Sequence, residues 1–240
     1  MPRRVTHGIV GEELEAVDIT FPELTELIYS THQQFKRLQK LCEFLEETIR
    51  KEVRRRRVHA QRHRDASEDE EEQAFNSAAI DDNLFEIERD FPRIVRYSLF
   101  VSMMSTTEAC LVRLCRAAHR HLNITDRFNE KGSDVIQRAL EYLHNEAGLH
   151  TSRMRYYKEL ADSLRRLRNV ITHAEGCIKG RSEEHDIRAF AKPGIGVEID
   201  KRSNIVLSDR FVMNNTGGMK QLVIQLHGKL KKQIGAHIAK

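Results

Sequence analysis

The chain has 240 residues, 40% of them apolar and 32% charged, and its net charge is +4 from 40 basic and 36 acidic side chains. This length allows one large domain or two small ones, and the composition is typical of a soluble, helix-rich protein. No apolar run approaches the ~20 residues of a membrane-spanning helix, and the N-terminus lacks the apolar stretch of a signal peptide. We therefore expect a cytoplasmic protein with no membrane partner.

The four cysteines show no spacing typical of a disulfide framework or a metal site. Cys42 falls within the first helical pattern, Cys110 and Cys115 within a more apolar one, and Cys177 after a third. None of them belongs to a C-x-x-C pair. We expect four reduced thiols, as in a cytosolic protein.

The first predicted element is a long amphipathic helix over about 20–63. Thr20 and Glu23 have the spacing of a capping box. Apolar residues then recur mostly every three or four positions: Leu24, Leu27, Ile28, Phe35, Leu38, Leu41, Phe44, Leu45 and Ile49. Beyond this stripe the helix becomes strongly basic, so that residues 51–64 form a basic arm.

An acidic stretch, residues 65–72, follows the basic arm directly. One interpretation is a solvated connection that folds back on itself, because the neighbouring acids would neutralise the arm. The other is a basic arm that follows an RNA backbone. The pattern divides the chain into an N-terminal helix with its arm (1–64), an acidic connection (65–91) and a helical domain (92–240).

The segment 92–121 is the most apolar part of the chain, and apolar side chains surround this predicted helix on most sides. Such a helix is expected to be central and buried. Glu108 lies within it, and a carboxylate is costly to bury alone. We expect a basic residue from the later helix containing Arg165–Arg168 to pair with Glu108, either as a structural ion pair or as support for a functional arginine.

Two further helices follow in the pattern. A short one is predicted from about Ser133 to Glu146, and a longer one over about 153–175. Gly176 stands where the longer helix should stop, because glycine readily adopts the left-handed conformation that ends helices.

The last part of the chain predicts a hairpin and a final helix. Apolar residues alternate in 197–199 and in 205–207 on either side of a polar turn, which predicts a two-stranded β-hairpin near 196–208. The final helix is predicted over about 216–238. The expected fold is mainly α, an antiparallel helical bundle with a small β-hairpin and a long N-terminal helix.

Residues 164–176 read Leu-Arg-Arg-Leu-Arg-Asn-Val-Ile-Thr-His-Ala-Glu-Gly and carry the clearest functional signal. On a helix Arg165, Asn169 and His173 form one i, i+4, i+8 stripe. Arg168 is expected close by on the same flank, with a side chain long enough to swing toward that stripe. An arginine binds a phosphate through two parallel hydrogen bonds, and a histidine exchanges a proton near neutral pH. Together these residue types can cleave a phosphodiester without a metal.

This run resembles the signature of the HEPN superfamily, the helical domains named for higher eukaryotes and prokaryotes nucleotide binding. In that signature an arginine, with a polar residue beside it, precedes a histidine after four to six intervening residues, as Arg168, Asn169 and His173 do here. The resemblance covers about residues 92–236. It leaves the N-terminal segment unexplained.

The resemblance implies a helical bundle that forms a homodimer through the 153–176 helix, so that two signatures line one cleft across a twofold axis. It also implies a metal-independent endoribonuclease without a cofactor, often a toxin or a phage-defence effector. Carried over by position, Arg168 and His173 become the catalytic pair, and Asn169 orients the pair or the phosphate. Arg165 and Arg166 are not signature positions, and we add them only as candidate contacts to the RNA backbone.

The chemistry expected of such a pair is attack by the RNA 2′-hydroxyl on the adjacent phosphorus. His173 accepts that proton or protonates the leaving 5′-oxygen, and Arg168 stabilises the charge that develops on the phosphoryl oxygens. The products are a cyclic 2′,3′-phosphate and a 5′-hydroxyl, and DNA, which lacks the nucleophile, is expected to survive.

Two other function classes remain open from the sequence. A non-catalytic module of the same fold would bind RNA or a nucleotide without cleaving it. A helical interaction protein would use the long first helix to bind a partner, such as an antitoxin or a component of a defence assembly.

Two weaker metal-binding hypotheses come from the charged residues. His59 and His63 have the i, i+4 spacing of some zinc ligands, but arginines crowd them and no further ligand stands nearby in the sequence. Asp81 and Asp82 beside Glu86 and Glu88 form an acidic group that a divalent ion could use. In both cases we favour a solvated charged surface.

Overall fold

Six α-helices and one hairpin make up the part of the chain described by the computed structural model, which comprises residues 22–66, 84–132 and 134–238. The helices are α1 (Pro22–Ala66), α2 (Phe91–His121), α3 (Val135–Asn145), α4 (Met154–Ala174), α5 (Glu184–Phe190) and α6 (Phe211–Ile238). A π-helical turn (Glu86–Asp90) leads into α2. The prediction of a mainly α fold with one small hairpin is confirmed.

The core lies where α1, α2 and α6 pack together, with α3 and α4 against α2. Apolar residues in the first half of α1, including Leu24 and Phe35, belong to the same hydrophobic cluster as those of the other helices. The first half of α1 therefore shares one hydrophobic core with the helices that follow it. The prediction that Leu41 and Phe44 belong to the buried apolar stripe of α1 is wrong. They are 46% and 64% exposed, because neither lies on the face of α1 that the bundle covers.

One face of α2 stays open to solvent although the helix is otherwise buried. Ile94 is 59% exposed, and Ser98, Ser102 and Ser105 lie exposed along the same face. The hydroxyls of Ser98 and Ser102 donate to carbonyl oxygens one turn earlier, at 3.0 and 2.8 Å. The helix is thus apolar and buried on most sides, as predicted, and this face stays open because hydroxyls bonded within the helix need no tertiary partner.

A largely buried ion pair connects α1, α2 and the hairpin. Arg96 donates from Nε and Nη2 to the two carboxylate oxygens of Glu46, at 2.7 and 2.9 Å. Its Nη1 donates to the carbonyl oxygen of Leu207 at 3.0 Å. The Glu46 side chain is only 6% exposed and that of Arg96 19%, so the pair is shielded from water.

The basic half of α1 is partly neutralised by neighbouring carboxylates. Arg55 and Arg56 both donate to Glu52, and Arg57 donates to Glu88 of the π-helical turn at 2.5 Å. The carboxylates that pair here, Glu52 and Glu88, do not belong to the acidic stretch 65–72, so both interpretations of that stretch stay predictions. Residues 67–83, which contain most of the acidic stretch together with Asp81 and Asp82, lie outside the described residues, as does Thr20 of the expected capping box.

The hairpin forms with the predicted pairing. Strands β1 (Val197–Ile199) and β2 (Ile205–Leu207) are antiparallel, with Val197 opposite Leu207 and Ile199 opposite Ile205. The final helix starts at Phe211, five residues before its predicted start at Thr216. The short helix α5 was not predicted, because its seven residues carry only one buried apolar side chain.

Two residues with left-handed backbone follow α4: Glu175, its C-cap, with a φ of +51°, and Gly176, with a φ of +86°. The N–H of Gly176 donates to the carbonyl oxygen of Val170 at 3.1 Å. A Cβ at this position would lie 2.1 Å from the hydroxyl oxygen of Tyr97, a buried side chain that donates to the carbonyl of Ile205. Gly176 thus ends the helix as predicted and also makes room for Tyr97.

We expect Gly176→Ala to lower the free energy of unfolding by about 2–3 kcal/mol, because a left-handed backbone and a steric clash add together. Urea denaturation measures the change. Gly180→Ala is the matched control, since its φ is +73° but no described atom lies within 4 Å of the added Cβ. That variant should lose only about 1 kcal/mol, from backbone strain. Equal losses in the two variants would contradict the role assigned to Tyr97.

Candidate functional site

Helix α4 presents the signature residues on its partly open side. Leu164, Leu167, Val170 and Ile171 are buried against the bundle, which leaves the intervening polar positions toward solvent. The polar positions Arg165, Arg166, Arg168 and Asn169 are half-buried, whereas His173 is exposed in the last turn. The helix therefore supports the signature residues without enclosing them.

Arg168 has the partner that the sequence predicted. Its Nη1 lies 3.9 Å from Oε1 of Glu108, and the two side chains are 28% and 24% exposed. At that separation the pair is electrostatic rather than a hydrogen bond, so the guanidinium keeps its N–H donors for another acceptor. Glu108 is thus placed to hold Arg168 while leaving it able to bind.

The surroundings of Glu108 shift the pKa of its carboxyl group. Burial raises the pKa of this carboxyl group, and the charge of Arg168 opposes the rise only in part. Since the folded-state pKa exceeds the ordinary value, folding favours the protonated carboxyl. The contribution of Glu108 to stability is therefore present at acid pH and is lost as the pH rises through the folded-state pKa.

We expect the stability of the native chain relative to Glu108→Gln to fall as the pH rises from about 4 to 7. Free energies of unfolding measured in urea across this range test it. Glu47→Gln should show the opposite slope, because a hydrogen bond from Lys51 lowers the pKa of Glu47. A flat or rising difference for Glu108→Gln would show that the charge of Arg168 outweighs burial.

Asn169 and His173 lie one turn apart on the same stripe of α4. Neither side chain forms a hydrogen bond or an ion pair within the described part of the chain, although the Thr172 hydroxyl between them donates to the Arg168 carbonyl at 2.8 Å. Both are thus available to an external ligand. Arg168 precedes His173 by five residues, which places the two about 140° apart around the helix axis.

Arg165 and Arg166 are already engaged by carboxylates. Arg165 donates to Asp162 at 2.7 Å, and Arg166 donates to Asp162 at 2.9 Å and also to Asp186 of α5. Burial acts to raise the pKa of Asp162, but the hydrogen bonds from both arginines outweigh it and hold that pKa below its usual value. The two side chains are thus weaker candidates for RNA-backbone contacts than the sequence suggested.

A groove of about 650 Å³ runs beside the signature, between the N-terminal half of α2 and the end of α4. It is lined by Arg93, Ile94, Tyr97, Ser98 and Val101 of α2 and by Ile171, Thr172 and Glu175. Neither Arg168 nor His173 lines it. The sequence did not predict this groove, because it depends on how α2 and α4 cross.

The cysteines and the candidate metal ligands give less support for a functional site. Cys42, Cys110 and Cys115 are buried free thiols, and Cys177 is a half-buried one. Within the described ranges, no three His, Cys, Asp or Glu side chains lie close enough to hold a metal ion, and no helix is both long and apolar enough to cross a membrane. The side chain of His63 lies outside the described residues, so the His59 pair stays a prediction.

No protein-family model matches the chain, and no curated protein or solved structure matches it either. The resemblance to the HEPN superfamily therefore depends on the signature residues and on the order of the helices that surround them.

Proposed function

We propose that this chain is a metal-independent endoribonuclease that acts as a homodimer through α4. The proposal depends on three side chains of α4 that are available to an external ligand. Asn169 and His173 have no partner among the described residues, and Arg168 lies 3.9 Å from Glu108 with its donors free. All three side chains reach solvent, beside the groove of about 650 Å³.

A dimer would bring Arg168 of one protomer close to His173 of the other. Because about 140° of helix rotation separates Arg168 from His173, one chain does not readily direct both at the same phosphate. A twofold axis near α4 would place the Arg168 side chain of one protomer opposite the His173 side chain of the other. The open face of α2, with exposed Ile94 and short hydroxyl residues, lies beside α4 and would let a second copy approach closely.

The reaction needs only groups that this chain supplies. The 2′-oxygen forms a bond to phosphorus as its proton passes to the His173 imidazole. The bond from phosphorus to the 5′-oxygen breaks as the resulting imidazolium returns the proton to that oxygen. Arg168 donates hydrogen bonds to the non-bridging oxygens as negative charge grows on them. Asn169 donates a further hydrogen bond from its side-chain nitrogen to a phosphate oxygen, which orients the phosphate.

We expect the purified protein to cleave single-stranded RNA in the presence of a chelator. Mapping of the new ends should give cyclic 2′,3′-phosphates and 5′-hydroxyls, because the nucleophile belongs to the substrate. Replacement of the single ribose at a cleavage site by deoxyribose should abolish cleavage there. The proposal fails if several classes of RNA stay intact, or if the products carry 3′-hydroxyl ends. Tight RNA binding without cleavage would instead indicate the non-catalytic module. A role as a toxin or in defence is tested separately, by an assay in cells.

A further inference from the structure

A second cavity lies at the C-terminal end of α2, separate from the groove beside the signature. It has a volume of about 430 Å³ and is lined mainly by Arg116, His119 and Arg120 of α2 and by Arg127, Phe128 and Glu130 of the following loop. Arg168 of the signature lies beside Glu108 of α2, and Arg116 follows Glu108 by eight residues, or about 12 Å of helix.

The charges around this cavity are predominantly positive. Three arginines line it, but only one carboxylate does, that of Glu130. Arg116 donates from Nε to Glu130 at 2.7 Å and also from Nη2 to its second oxygen, which holds the guanidinium plane in place. Arg120 lies 3.1 Å from Glu23 of α1, in a pair whose side chains are 58% and 60% exposed. Exposed pairs of this kind contribute little and exchange readily.

One of the arginines has unused donors. Arg127 is exposed and forms neither a hydrogen bond nor a close ion pair with any residue that the structure describes, although its charge helps to lower the pKa of Glu130. The ring of His119 also lines the cavity, but its Nδ1 is enclosed by protein and is out of reach of a ligand there.

We propose that this cavity is a binding site for a phosphate monoester, separate from the proposed catalytic site. A phosphate supplies several acceptor oxygens and two negative charges, which suit the guanidinium groups of Arg127 and of its neighbours Arg116 and Arg120. The buried ring of Phe128 adds an apolar wall, and the volume is in the range that small-molecule sites occupy. A nucleoside monophosphate, or the 5′-phosphate end of a nucleic acid, has this combination of charge and apolar surface.

Titration calorimetry with the full chain tests the proposal. The probes are adenosine 5′-monophosphate, adenosine, inorganic phosphate, and DNA oligonucleotides with a 5′-phosphate or a 5′-hydroxyl. DNA lacks the 2′-hydroxyl, so failure of the nuclease proposal would not affect the result. We expect at least one phosphate-bearing probe to bind, and its counterpart without phosphate not to bind. Preference for the mononucleotide or for the oligonucleotide end then identifies the source of the phosphate.

Arg127→Gln should weaken that binding by about 10-fold or more, the usual consequence of losing a charged hydrogen bond. Arg155→Gln is the matched control, because the Arg155 side chain is 93% exposed, pairs only within α4 and does not line the cavity. Arg120→Gln, at an exposed position on the same cavity wall, provides a second variant if Arg127→Gln is shown by circular dichroism to be unfolded. The proposal is overturned if no phosphate-bearing probe binds at millimolar concentration, or if Arg127→Gln and Arg155→Gln bind equally well.

Discussion

Replacement of His173 by alanine is expected to lower the rate of RNA cleavage by about 100- to 10,000-fold, the range typical of a lost general acid–base group. The folded state should be unaffected, since His173 is exposed and bonds to no described residue. Single-turnover cleavage of a labelled RNA with saturating enzyme measures the chemical step. His185→Ala is the matched control, an exposed histidine on the neighbouring helix α5. Equal rates for the two variants would remove His173 from the mechanism.

The corresponding change at Arg168 requires a variant that preserves its pair with Glu108. Arg168→Ala should lose about 100- to 1,000-fold in rate, but it also leaves a half-buried carboxylate without its counter-charge. Arg168→Lys keeps the positive charge near Glu108 and loses the planar fork that binds a phosphate through two hydrogen bonds. A stable Arg168→Lys protein with strongly reduced cleavage would assign the loss to phosphate recognition, whereas full activity would contradict it.

A mixture of the two inactive variants tests the composite site. If the arginine of one protomer acts with the histidine of the other, a heterodimer of Arg168→Lys and His173→Ala contains one intact site. We therefore expect cleavage to reappear after the two proteins are mixed and allowed to exchange subunits. A mixture that stays inactive although exchange is shown by native mass spectrometry would place both groups within one chain.

Loss of the ion pair between Arg96 and Glu46 should have the largest effect on stability. Arg96→Ala leaves the carboxylate of Glu46, only 6% exposed, without its guanidinium, and it also removes the donor to Leu207. Breaking a buried pair by removing one partner destabilises a protein by about 3–5 kcal/mol. Urea denaturation followed by circular dichroism measures the change, with the midpoint expected to fall sharply.

Two further variants separate burial from charge. Arg55→Ala removes an exposed pair, with the arginine side chain 68% exposed, and should change stability far less than Arg96→Ala does, because solvent screens such pairs. The double variant Arg96→Met with Glu46→Leu removes both charges together and should be far milder than Arg96→Ala, because no unpaired charge remains. If Arg96→Ala proves as mild as Arg55→Ala, the pair is more hydrated than its exposure indicates.

Much of the fold could be predicted from local patterns. The hairpin register follows from apolar alternation, since Val197 and Leu207 must both face the bundle. The end of α4 follows from Gly176, whose left-handed backbone most other residues avoid. The pairing of Glu108 with Arg168 could be predicted in kind, because a carboxylate in an apolar helix needs a cation.

Other features were not predictable from local patterns. Asp186, which pairs with Arg166, belongs to the short helix α5, and that helix has only one buried apolar side chain. Because the helix could not be predicted, the pairing of Arg166 could not be predicted either. The exposure of Leu41 and Phe44 depends on where the bundle ends against α1, which residue spacing does not encode. The cavity at Arg127 forms between a helix end and a loop that are close only in the folded chain.

By itself the sequence determined the position of the helices with a clear apolar stripe, where α4 stops, and that Arg168, Asn169 and His173 share one helix. These properties depend on neighbours within a few positions, through backbone hydrogen bonds and apolar periodicity. Only the tertiary structure decided which of the arginines keep free donors and which face of α2 stays open. These properties depend on contacts between residues distant along the chain, where packing and the placement of opposite charges select one arrangement among many.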